Sequence, residues 1–292
     1  MDIKISVVIP TRNSGRFLGQ TIQAIQHGSY CPSQVLIIDG NSSDETVSIA
    51  ETLGAQVVKN PMLHAASARK IGIIEATSPI VAFTDSDCLP GADWLESIAR
   101  RFTEDPELDG VGGPVLLSNP KNQIQAYSAH VFENIKSFPE NLTYITQKKT
   151  RGFSFPGANC AFRRDKVLEV GNFREEFSNL AEEVDLLWRL VEINAKLLFD
   201  PGIKVEHLGY PDTLAGLIKT NFRYGATSTQ LAKFHNLSPR IDWSLYKILV
   251  KSQISTINPF NKDKWAPLRV VQLSAFIAAK WYTSVRIRTI NL

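Results

Sequence analysis

The sequence predicts an α/β protein in which a mainly parallel sheet, flanked by helices, occupies residues 1–210. A basic, aromatic and mainly helical extension is predicted for residues 211–292. The first prediction comes from short β-branched runs that alternate with helical patterns, as they do in βαβ units. The second comes from a change of composition after Pro211, where three of the five tryptophans are found. At about 150 residues per domain, a chain of 292 residues can hold one large domain or two.

Three buried strands are predicted in the first half, over residues 5–9, 35–38 and 80–84. Each is a short apolar run rich in β-branched residues, and each is followed by polar residues. Ligands of open α/β sheets bind in the crevice beyond the carboxyl ends of the strands. We therefore expect one cleft to collect Thr11-Arg12-Asn13, Asp39 and Asp85-Ser86-Asp87.

Helices are predicted over residues 15–26, 44–53, 64–76 and 182–193. Each of these stretches shows the helical pattern of apolar residues. Ser43 or Asp44 is the predicted N-cap of the second helix. Loops rich in Gly and Asn, at 111–114 and 155–159, interrupt the region between the third and fourth helices.

Composition excludes several classes of protein. Hydrophobic residues make up 43% and charged residues 21% of the chain, which rules out disorder, collagen and low-complexity fibres. The three cysteines are odd in number and show no C-x-x-C spacing, which argues against a disulfide framework or a structural zinc site. The N-terminus does not resemble a signal peptide, and no apolar run reaches the ~18 residues of a spanning helix. We therefore expect a cytoplasmic protein. Binding at the inner face of the cell membrane is the open alternative for its location.

Charge is distributed unevenly along the chain. Residues 1–210 hold 20 Lys and Arg against 26 Asp and Glu, whereas residues 211–292 hold 12 against 3. This asymmetry suggests that the basic segment meets an anionic partner, either nucleic acid or a membrane surface. Residues 243–257 and 267–290 mix apolar, aromatic and basic residues, which favours helices that lie in a membrane interface. The alternative is that they pack on the first domain or form a homodimer interface. Nucleic acid is disfavoured because the segment contains no known recognition motif.

The strongest chemical feature is Asp85-Ser86-Asp87, directly after a buried strand. Two carboxylates one residue apart at a strand end can bind a hard divalent cation, and that cation neutralises a diphosphate. The alternative is a turn in which an Asp caps the following helix.

Six motifs occur in the chain: V-V-I-P-T-R-N at 7–13, I-I-D-G-N-S-S-D-E-T at 37–46, A-S-A-R-K-I-G at 66–72, F-T-D-S-D at 83–87, P-G-A-N-C-A-F-R-R at 156–164 and A-E-E-V-D-L at 181–186. Together they resemble the family 2 glycosyltransferases of the GT-A fold, in the family's order and at its spacing, over residues 3–225. The resemblance implies an inverting transferase that uses a nucleotide sugar and a divalent cation, Mn²⁺ or Mg²⁺.

The resemblance assigns a nucleotide site to the first half of the chain. Its residues would be Pro10, Thr11, Arg12, Asn13, Asp39, Arg69, Asp85 and Ser86. The turn after the first strand would meet the base, Asp39 would hydrogen-bond it, and Arg69 would lie near the base and the phosphates. Gly40-Asn41 stands where the family often has a second Asp and then Gly. The family favours UDP, so the resemblance favours UDP here, while GDP and dTDP stay open.

The resemblance also assigns the metal and sugar sites. Asp87 would be the direct metal ligand, Asp85 would face the ribose and the metal, and His207 would complete the metal site or contact the diphosphate. Gly157-Ala158-Asn159 resembles the loop that floors the donor-sugar and acceptor site, where small residues let the backbone approach a sugar. An ordinary turn is the alternative interpretation of that loop.

Glu182-Glu183 begins the fourth predicted helix. An inverting transfer needs a carboxylate to take the proton from the acceptor hydroxyl. The resemblance points to Glu183, with Glu182 or Asp185 next in line. The family commonly has Glu-Asp here, so the base of this chain is longer by one methylene. The alternative is that these acids only interact favourably with the positive end of the helix dipole.

The expected function is transfer of a single sugar from a nucleotide sugar to a hydroxyl of a lipid-linked or cell-surface glycan. Residues 220–224 lack the Gln and Trp of the Gln-x-x-Arg-Trp motif of processive relatives, which argues against polymer synthesis. One alternative is a sugar-nucleotide nucleotidyltransferase, but residues 9–19 lack its glycine-rich phosphate loop. The other is a non-catalytic, membrane-docked protein that binds nucleotide sugars, against which the presence of Asp85, Asp87 and Glu183 argues.

Overall fold

The computed structural model describes residues 3–117, 119–135, 138–148, 154–177, 181–237, 241–258 and 262–288. These residues divide into two compact units. The first holds the described parts of 3–117, 132–177 and 182–209, and the second holds those of 119–131 and 210–288, together with Ala181. The segment 119–131 is a part of the second unit that the sequence-based division at residue 210 does not anticipate.

The first half of the first unit is built from βαβ units. Its elements are β1 (Ile5–Thr11), α1 (Leu18–Gln26), β2 (Gln34–Asp39), α2 (Thr46–Thr52), β3 (Gln56–Lys59), α3 (Ala65–Glu75) and β4 (Ile80–Phe83). β1 pairs in parallel with β2 and β4, and β2 pairs in parallel with β3. β3 has a weak apolar signal in the sequence, because its run QVVK has only two apolar residues and both are half-buried.

Both faces of this sheet are covered. Along β1, Val7 and Ile9 belong to one hydrophobic cluster and Val8 belongs to another, and all three are fully buried. Successive side chains of a strand point to opposite faces, so a strand that is covered on both sides is apolar at nearly every position. This is why the three strands are recognisable as uninterrupted apolar runs.

The chain then continues through a more mixed region. Its elements are β5 (Cys88–Pro90), α4 (Trp94–Glu104), β6 (Gly110–Gly112), β7 (Val115–Leu117), α5 (Gln123–Ile135), β8 (Thr143–Tyr144), β9 (Cys160–Arg163), α6 (Arg164–Glu169), a 3₁₀ turn (Glu175–Phe177), α7 (Glu182–Glu192), β10 (Leu197–Phe199) and β11 (Val205–His207). Within the described ranges, the strands form an eight-stranded sheet, β3-β2-β1-β4-β9-β6-β10-β8, and a three-stranded sheet, β5-β11-β7. β9 runs antiparallel to β4 and β6. The predicted α/β fold, with a mainly parallel sheet flanked by helices, is confirmed.

The second predicted helix begins later than expected. α2 begins at Thr46, after Glu45, so the predicted N-cap at Ser43 or Asp44 is wrong. The Asp44 carboxylate instead accepts hydrogen bonds from the backbone N–H groups of Thr46 (3.1 Å) and Gly15 (3.0 Å). An Asp whose side chain accepts from the N–H two residues on forms an Asx-turn, and here that turn lies just before the first residue of α2.

The second unit is helical. It contains α8 (Leu214–Phe234), α9 (Trp243–Ile257), α10 (Ala266–Ile287) and the first part of α5. α8 and α10 approach closely at Gly225, where an added Cβ would lie 2.2 Å from the carbonyl oxygen of Phe276. The Tyr127 hydroxyl of α5 bonds the Gln272 side chain of α10. No helix in the described part of the chain is long and apolar enough to cross a membrane.

Candidate functional site

The carboxyl ends of β1, β2 and β4 meet at one edge of the sheet. The Thr11 hydroxyl donates to Oδ1 of Asp39 over 3.3 Å, and the Gly40 N–H donates to the carbonyl oxygen of Thr11 over 2.8 Å. The hydroxyls of Ser14 and Ser86 lie 2.8 Å apart. Hydrogen bonds therefore join the segments that follow the three strands into one lining, as the parallel pairing leads us to expect.

Asp39 is buried and held by its own loop. Its side chain is 5% exposed. Oδ2 accepts from the backbone N–H of Ser42 over 2.9 Å, and Oδ1 accepts from the hydroxyls of Ser42 and Thr11. A carboxylate has about four acceptor positions, so about one is left for an incoming N–H. The orientation of this carboxylate is thus set before any ligand arrives.

Two asparagines shape the loops beside Asp39. Asn13 has φ 51° and Asn41 has φ 58°, a left-handed conformation that Asn adopts more readily than most residues with a side chain. Oδ1 of Asn13 also accepts from the backbone N–H of Ser43 over 2.9 Å, which ties the two loops together. Pro10 is half-buried and Arg12 is exposed at this turn. The predicted nucleotide-contacting turn is therefore rigid at its backbone and open at the Arg12 side chain.

The acidic turn after β4 lies beside β11. β11 pairs antiparallel with β5, and this register places His207 opposite Cys88. Nε2 of His207 lies 3.6 Å from Oδ1 of Asp87. Single donor atoms of Asp85, Cys88 and His207 also lie within 4.8 Å of one another. Sheet pairing thus brings a histidine from far along the chain onto the acidic turn.

The acidic turn favours a bound cation. Burial raises the pKa of Asp87, and although His207 acts to lower it, the charge of Asp85 raises it further. Carboxylate and imidazole groups are ligands that Mn²⁺ accepts, and Mg²⁺ takes the carboxylates. Burial also holds the pKa of the Cys88 thiol well above its usual range, so this soft ligand stays protonated. With Cys88 protonated, the donors at this turn that suit a hard divalent cation are the carboxylates of Asp85 and Asp87 and the imidazole of His207, which stay the predicted ligands.

Arg69 is buried and pairs with two carboxylates. It is 4% exposed, with Nη2 donating to Oδ1 of Asp85 over 2.7 Å and Nη1 paired with Glu182. Burial alone would lower the pKa of Arg69, but the charges of Glu182, Asp85 and Glu183 raise it. A Cβ added to Gly157 would lie 2.9 Å from Nη2. This guanidinium joins the acidic turn to α7, and its place near the base and the phosphates stays a prediction.

The three acids at the start of α7 differ in their surroundings. Glu182 is 4% exposed and paired with Arg69. Asp185 is fully buried and paired with Arg189. Glu183 is partly exposed, and its charge raises the pKa of Arg69. Their burial and ion pairs make Glu182 and Asp185 weaker candidates for the base than Glu183, which stays the predicted base.

The loop at 157–159 has a structural part that the sequence does not reveal. Asn159 is fully buried. Its Oδ1 accepts from Nε1 of Trp94 over 2.9 Å, and its Nδ2 donates to the carbonyl oxygens of Pro114 (2.9 Å) and Ile203 (2.7 Å). Ala158 belongs to the hydrophobic core. Both side chains support the core while Gly157 is half-exposed, and the assignment of this loop to the floor of the sugar site stays a prediction.

Asp185→Asn should destabilise the fold. The carboxylate accepts from Nε and Nη2 of Arg189 (2.9 and 2.7 Å) and from Nη1 of Arg174 (3.1 Å). Breaking a buried ion pair by removing one partner typically costs about 3–5 kcal/mol. Urea unfolding measures this loss, with Asp165→Asn, an exposed acid of α6, as a control expected to change the free energy of unfolding by less than about 1 kcal/mol. An unfolding midpoint unchanged by Asp185→Asn would contradict the expectation.

Solved structures resemble this chain over nearly its whole length. Mannosyltransferase PcManGT from Pyrobaculum calidifontis, in complex with GDP-Man and Mn²⁺, matches with a TM-score of 0.60 at 16% identity, covering 98% of this chain and 78% of that one. S. aureus TarS 1–349 in complex with UDP matches with a TM-score of 0.57 at 17% identity, covering 98% and 92%. At such low identity the likeness shows the fold alone, which is the GT-A fold.

Curated proteins resemble it in sequence. Pre-mycofactocin glycosyltransferase of Mycobacterium tuberculosis (strain CDC 1551 / Oshkosh) is 29% identical over 240 residues, which are 79% of this chain and 48% of that protein. Glycosyltransferase AglE of Haloferax volcanii is 26% identical over 246 residues, covering 81% and 76%. The chain thus spans about half the length of the first of these relatives.

A family model covers more than half of the chain. The match runs over residues 6–171, from β1 to just beyond α6, and its description is Glycosyl transferase family 2. It includes Asp39, Asp85 and Asp87, while α7 and His207 lie beyond it. This extent of match, on a chain with the GT-A fold, shows that the protein belongs to glycosyl transferase family 2.

Proposed function

We propose that the chain transfers one sugar per visit from a nucleotide-diphosphate sugar to a hydroxyl of a lipid-linked or cell-surface glycan, with inversion at the anomeric carbon. The observation that carries the proposal is the joining of two acidic centres through Arg69. On one side is the turn with Asp85 and Asp87, and on the other is α7 with Glu183. Such a pair supplies a cation site for the leaving group and a base for the acceptor.

The donor half of the site would hold the nucleotide and a divalent cation. Asp85, Asp87 and His207 would hold Mn²⁺ or Mg²⁺, which supplies, when bound, positive charge that stabilises the departing diphosphate. The remaining acceptor position of Asp39 would take an N–H of the base. The exposed Arg12 side chain stands at the rim of the same turn. UDP is the favoured nucleotide, and the UDP complex of TarS supports a uracil donor while the GDP-Man complex of PcManGT keeps guanine open.

The acceptor half would use Glu183. Its carboxylate takes the proton from the acceptor hydroxyl as the oxygen of that hydroxyl attacks the anomeric carbon. The new glycosidic bond forms on one face of the sugar while the bond to the diphosphate breaks on the other, which inverts the configuration. The proton rests on Glu183 and then passes to water.

Titration calorimetry with UDP, GDP and dTDP, each with Mn²⁺ and again with EDTA, tests the proposal. We expect one nucleotide to bind tightly with Mn²⁺ and weakly with EDTA. That nucleotide then sets the panel of sugar donors for transfer assays. If none of the three binds in the presence of Mn²⁺, the proposed function is wrong.

Gly209→Ala should weaken metal-dependent nucleotide binding. A Cβ at Gly209 would lie 1.9 Å from Oδ2 of Asp87, so the carboxylate must move. Changes that displace a metal ligand typically cost about 10–100-fold in metal affinity. Gly19→Ala is the matched control, because its Cβ would meet only Cγ2 of Ile49 at 3.5 Å, an ordinary contact. Equal Mn²⁺-dependent affinities of the two variants would contradict this expectation.

A further inference from the structure

Helix α9 exposes its large apolar side chains. Trp243 is 65% exposed, Val250 53%, Ile254 59% and Ile257 81%. The buried residue of this helix is Ser252, a polar one. A surface helix usually turns its apolar side chains inward, but in α9 Leu245 and Leu249 are half-buried while these four large side chains are exposed. Contiguous apolar surface of this kind marks an interaction site.

Trp243, Val250 and Ile254 belong to one stripe along the helix. The stripe is lined by Trp243, Tyr246, Lys247, Val250, Lys251, Ile254 and Ser255, which are spaced three and four residues apart and so share a helix face. At its N-terminal end the rings of Trp243 and Tyr246 have centroids 5.8 Å apart. Trp281 of α10, 49% exposed, donates its Nε1–H to the Tyr246 hydroxyl over 2.9 Å. Three aromatic side chains with polar tips thus stand together at one end of the stripe.

The stripe is also positively charged. Lys247 and Lys251 are exposed on it, and α9 contains no acidic residue. Residues 211–292 hold 12 basic residues against 3 acidic ones. Two of those acids are already engaged, since Asp242 caps α9 and Asp263 pairs with Arg269. A partner for this face must accept apolar side chains and offer negative charge around them.

We propose that the α9 stripe, together with Trp281, docks on the surface of a membrane that contains anionic phospholipids. The helix, about 22 Å long at 1.5 Å per residue, would lie in the plane of the interface with Val250 and Ile254 toward the acyl chains. Lys247 and Lys251 would extend to the headgroups along their apolar stems. Trp and Tyr favour this depth because each has an apolar ring and a polar tip.

A second copy of the chain fits this face less well than a lipid surface. In a symmetric dimer the same patch meets itself, so the lysines of both copies would approach one another. Like charges that meet across an interface disfavour association. The inference concerns the surface to which the chain binds and does not depend on the sugar-transfer reaction. The test of nucleotide binding and the test of vesicle binding can therefore give different outcomes.

Vesicle flotation of the full chain tests the proposal. Vesicles of phosphatidylcholine with 30 mol% phosphatidylglycerol are compared with vesicles of phosphatidylcholine alone, at about 0.1 M salt, where charge interactions still act over about 10 Å. We expect the protein to float with the anionic vesicles and to bind the neutral ones at least tenfold more weakly. Failure to float with the anionic vesicles would overturn the proposal.

Paired charge variants locate the contact. K247E/K251E should weaken binding to anionic vesicles by roughly 30-fold or more, because each basic residue near such a surface contributes about fivefold. K4E/K59E changes two exposed lysines of the first unit and the net charge by the same amount, and should change binding by less than about threefold. An equal loss in the two variants would show a general charge effect and overturn the assignment to α9.

Paired apolar variants and fluorescence complete the test. V250Q/I254Q should weaken vesicle binding at least tenfold, whereas I74Q/L168Q, at exposed positions of α3 and α6, should not. In the unaltered chain, doxyl-labelled phospholipid should quench the exposed tryptophans of the stripe, and W243F/W281F should remove that quenching. No quenching, or α9 variants that change only self-association in sedimentation, would assign the face to something other than a membrane.

Discussion

Glu183→Gln is expected to leave nucleotide binding intact and to lower the rate of sugar transfer by about 10²–10⁴-fold. The amide keeps the size of the carboxylate but cannot take the proton of the acceptor hydroxyl. Glu183 is partly exposed, whereas Glu182 and Asp185 are buried in ion pairs with arginines. Neither neighbouring acid on α7 is therefore placed to take over. Single-turnover transfer at saturating donor, with the nucleotide identified by calorimetry, measures the loss.

Two companion variants separate a missing base from a damaged site. Glu183→Asp, which restores the residue that the family commonly carries, should recover part of the lost rate because a proton acceptor is present again. Glu182→Gln breaks the buried pair with Arg69, so it should lower stability and nucleotide binding together. Near-normal turnover by Glu183→Gln would place the base elsewhere.

The parts of the fold that could be predicted are those whose signal lies in residues that are neighbours in the sequence. β1, β2 and β4 are covered on both faces, so their apolar runs are continuous. Asp39 and the acidic turn lie at the carboxyl ends of β2 and β4. In a parallel sheet these ends lie at the same edge, so their meeting could be predicted. β3 could not be predicted in this way. It lies at the edge of the sheet and its valines are half-buried, so its apolar signal is weak.

The side-chain roles that escaped prediction depend on contacts between distant segments. Arg69 pairs with Glu182, which lies 113 positions further along the chain. No local sequence pattern indicates that pair. Asn159 is drawn into the core by three bonds, of which the one to Trp94 spans 65 positions. A family motif shows that such a residue is present at its usual position but not whether it touches a ligand or holds the site in place. Burial decides between the two, and burial is a property of the folded chain.

The position of His207 also depends on contact between distant segments. The sequence has a histidine directly after Val205-Glu206, and the resemblance alone indicates its role. The pairing of β11 with β5 gives a physical reason, because it places His207 opposite Cys88 at the acidic turn. Cys88 itself was not predicted at this site, and the signal that could have found it is its position directly after Asp87.

Asp87→Asn should abolish the metal-dependent part of nucleotide binding. The amide is neutral and a much weaker ligand for a hard cation than a carboxylate. Binding of the preferred nucleotide in Mn²⁺ should fall to the level measured in EDTA, while binding in EDTA should not change. Asp165→Asn, which removes an exposed carboxylate of α6, is the matched control and should bind as the unaltered chain does. Full Mn²⁺-dependent affinity in Asp87→Asn would contradict the assignment of the ligand.

The unfolding temperature of Asp87→Asn in EDTA shows whether the variant has lost a metal ligand or has lost its fold. Because burial and Asp85 raise the pKa of Asp87, the folded chain holds a proton on this carboxyl more tightly than the unfolded chain does. Stability is therefore lost as the pH rises and the carboxyl ionises. At neutral pH without metal, Asn removes that unfavourable charge, so Asp87→Asn should unfold at the same temperature as the unaltered chain or higher. A lower unfolding temperature would mean that Asp87 supports the fold, and the loss of nucleotide binding would then say nothing about a metal.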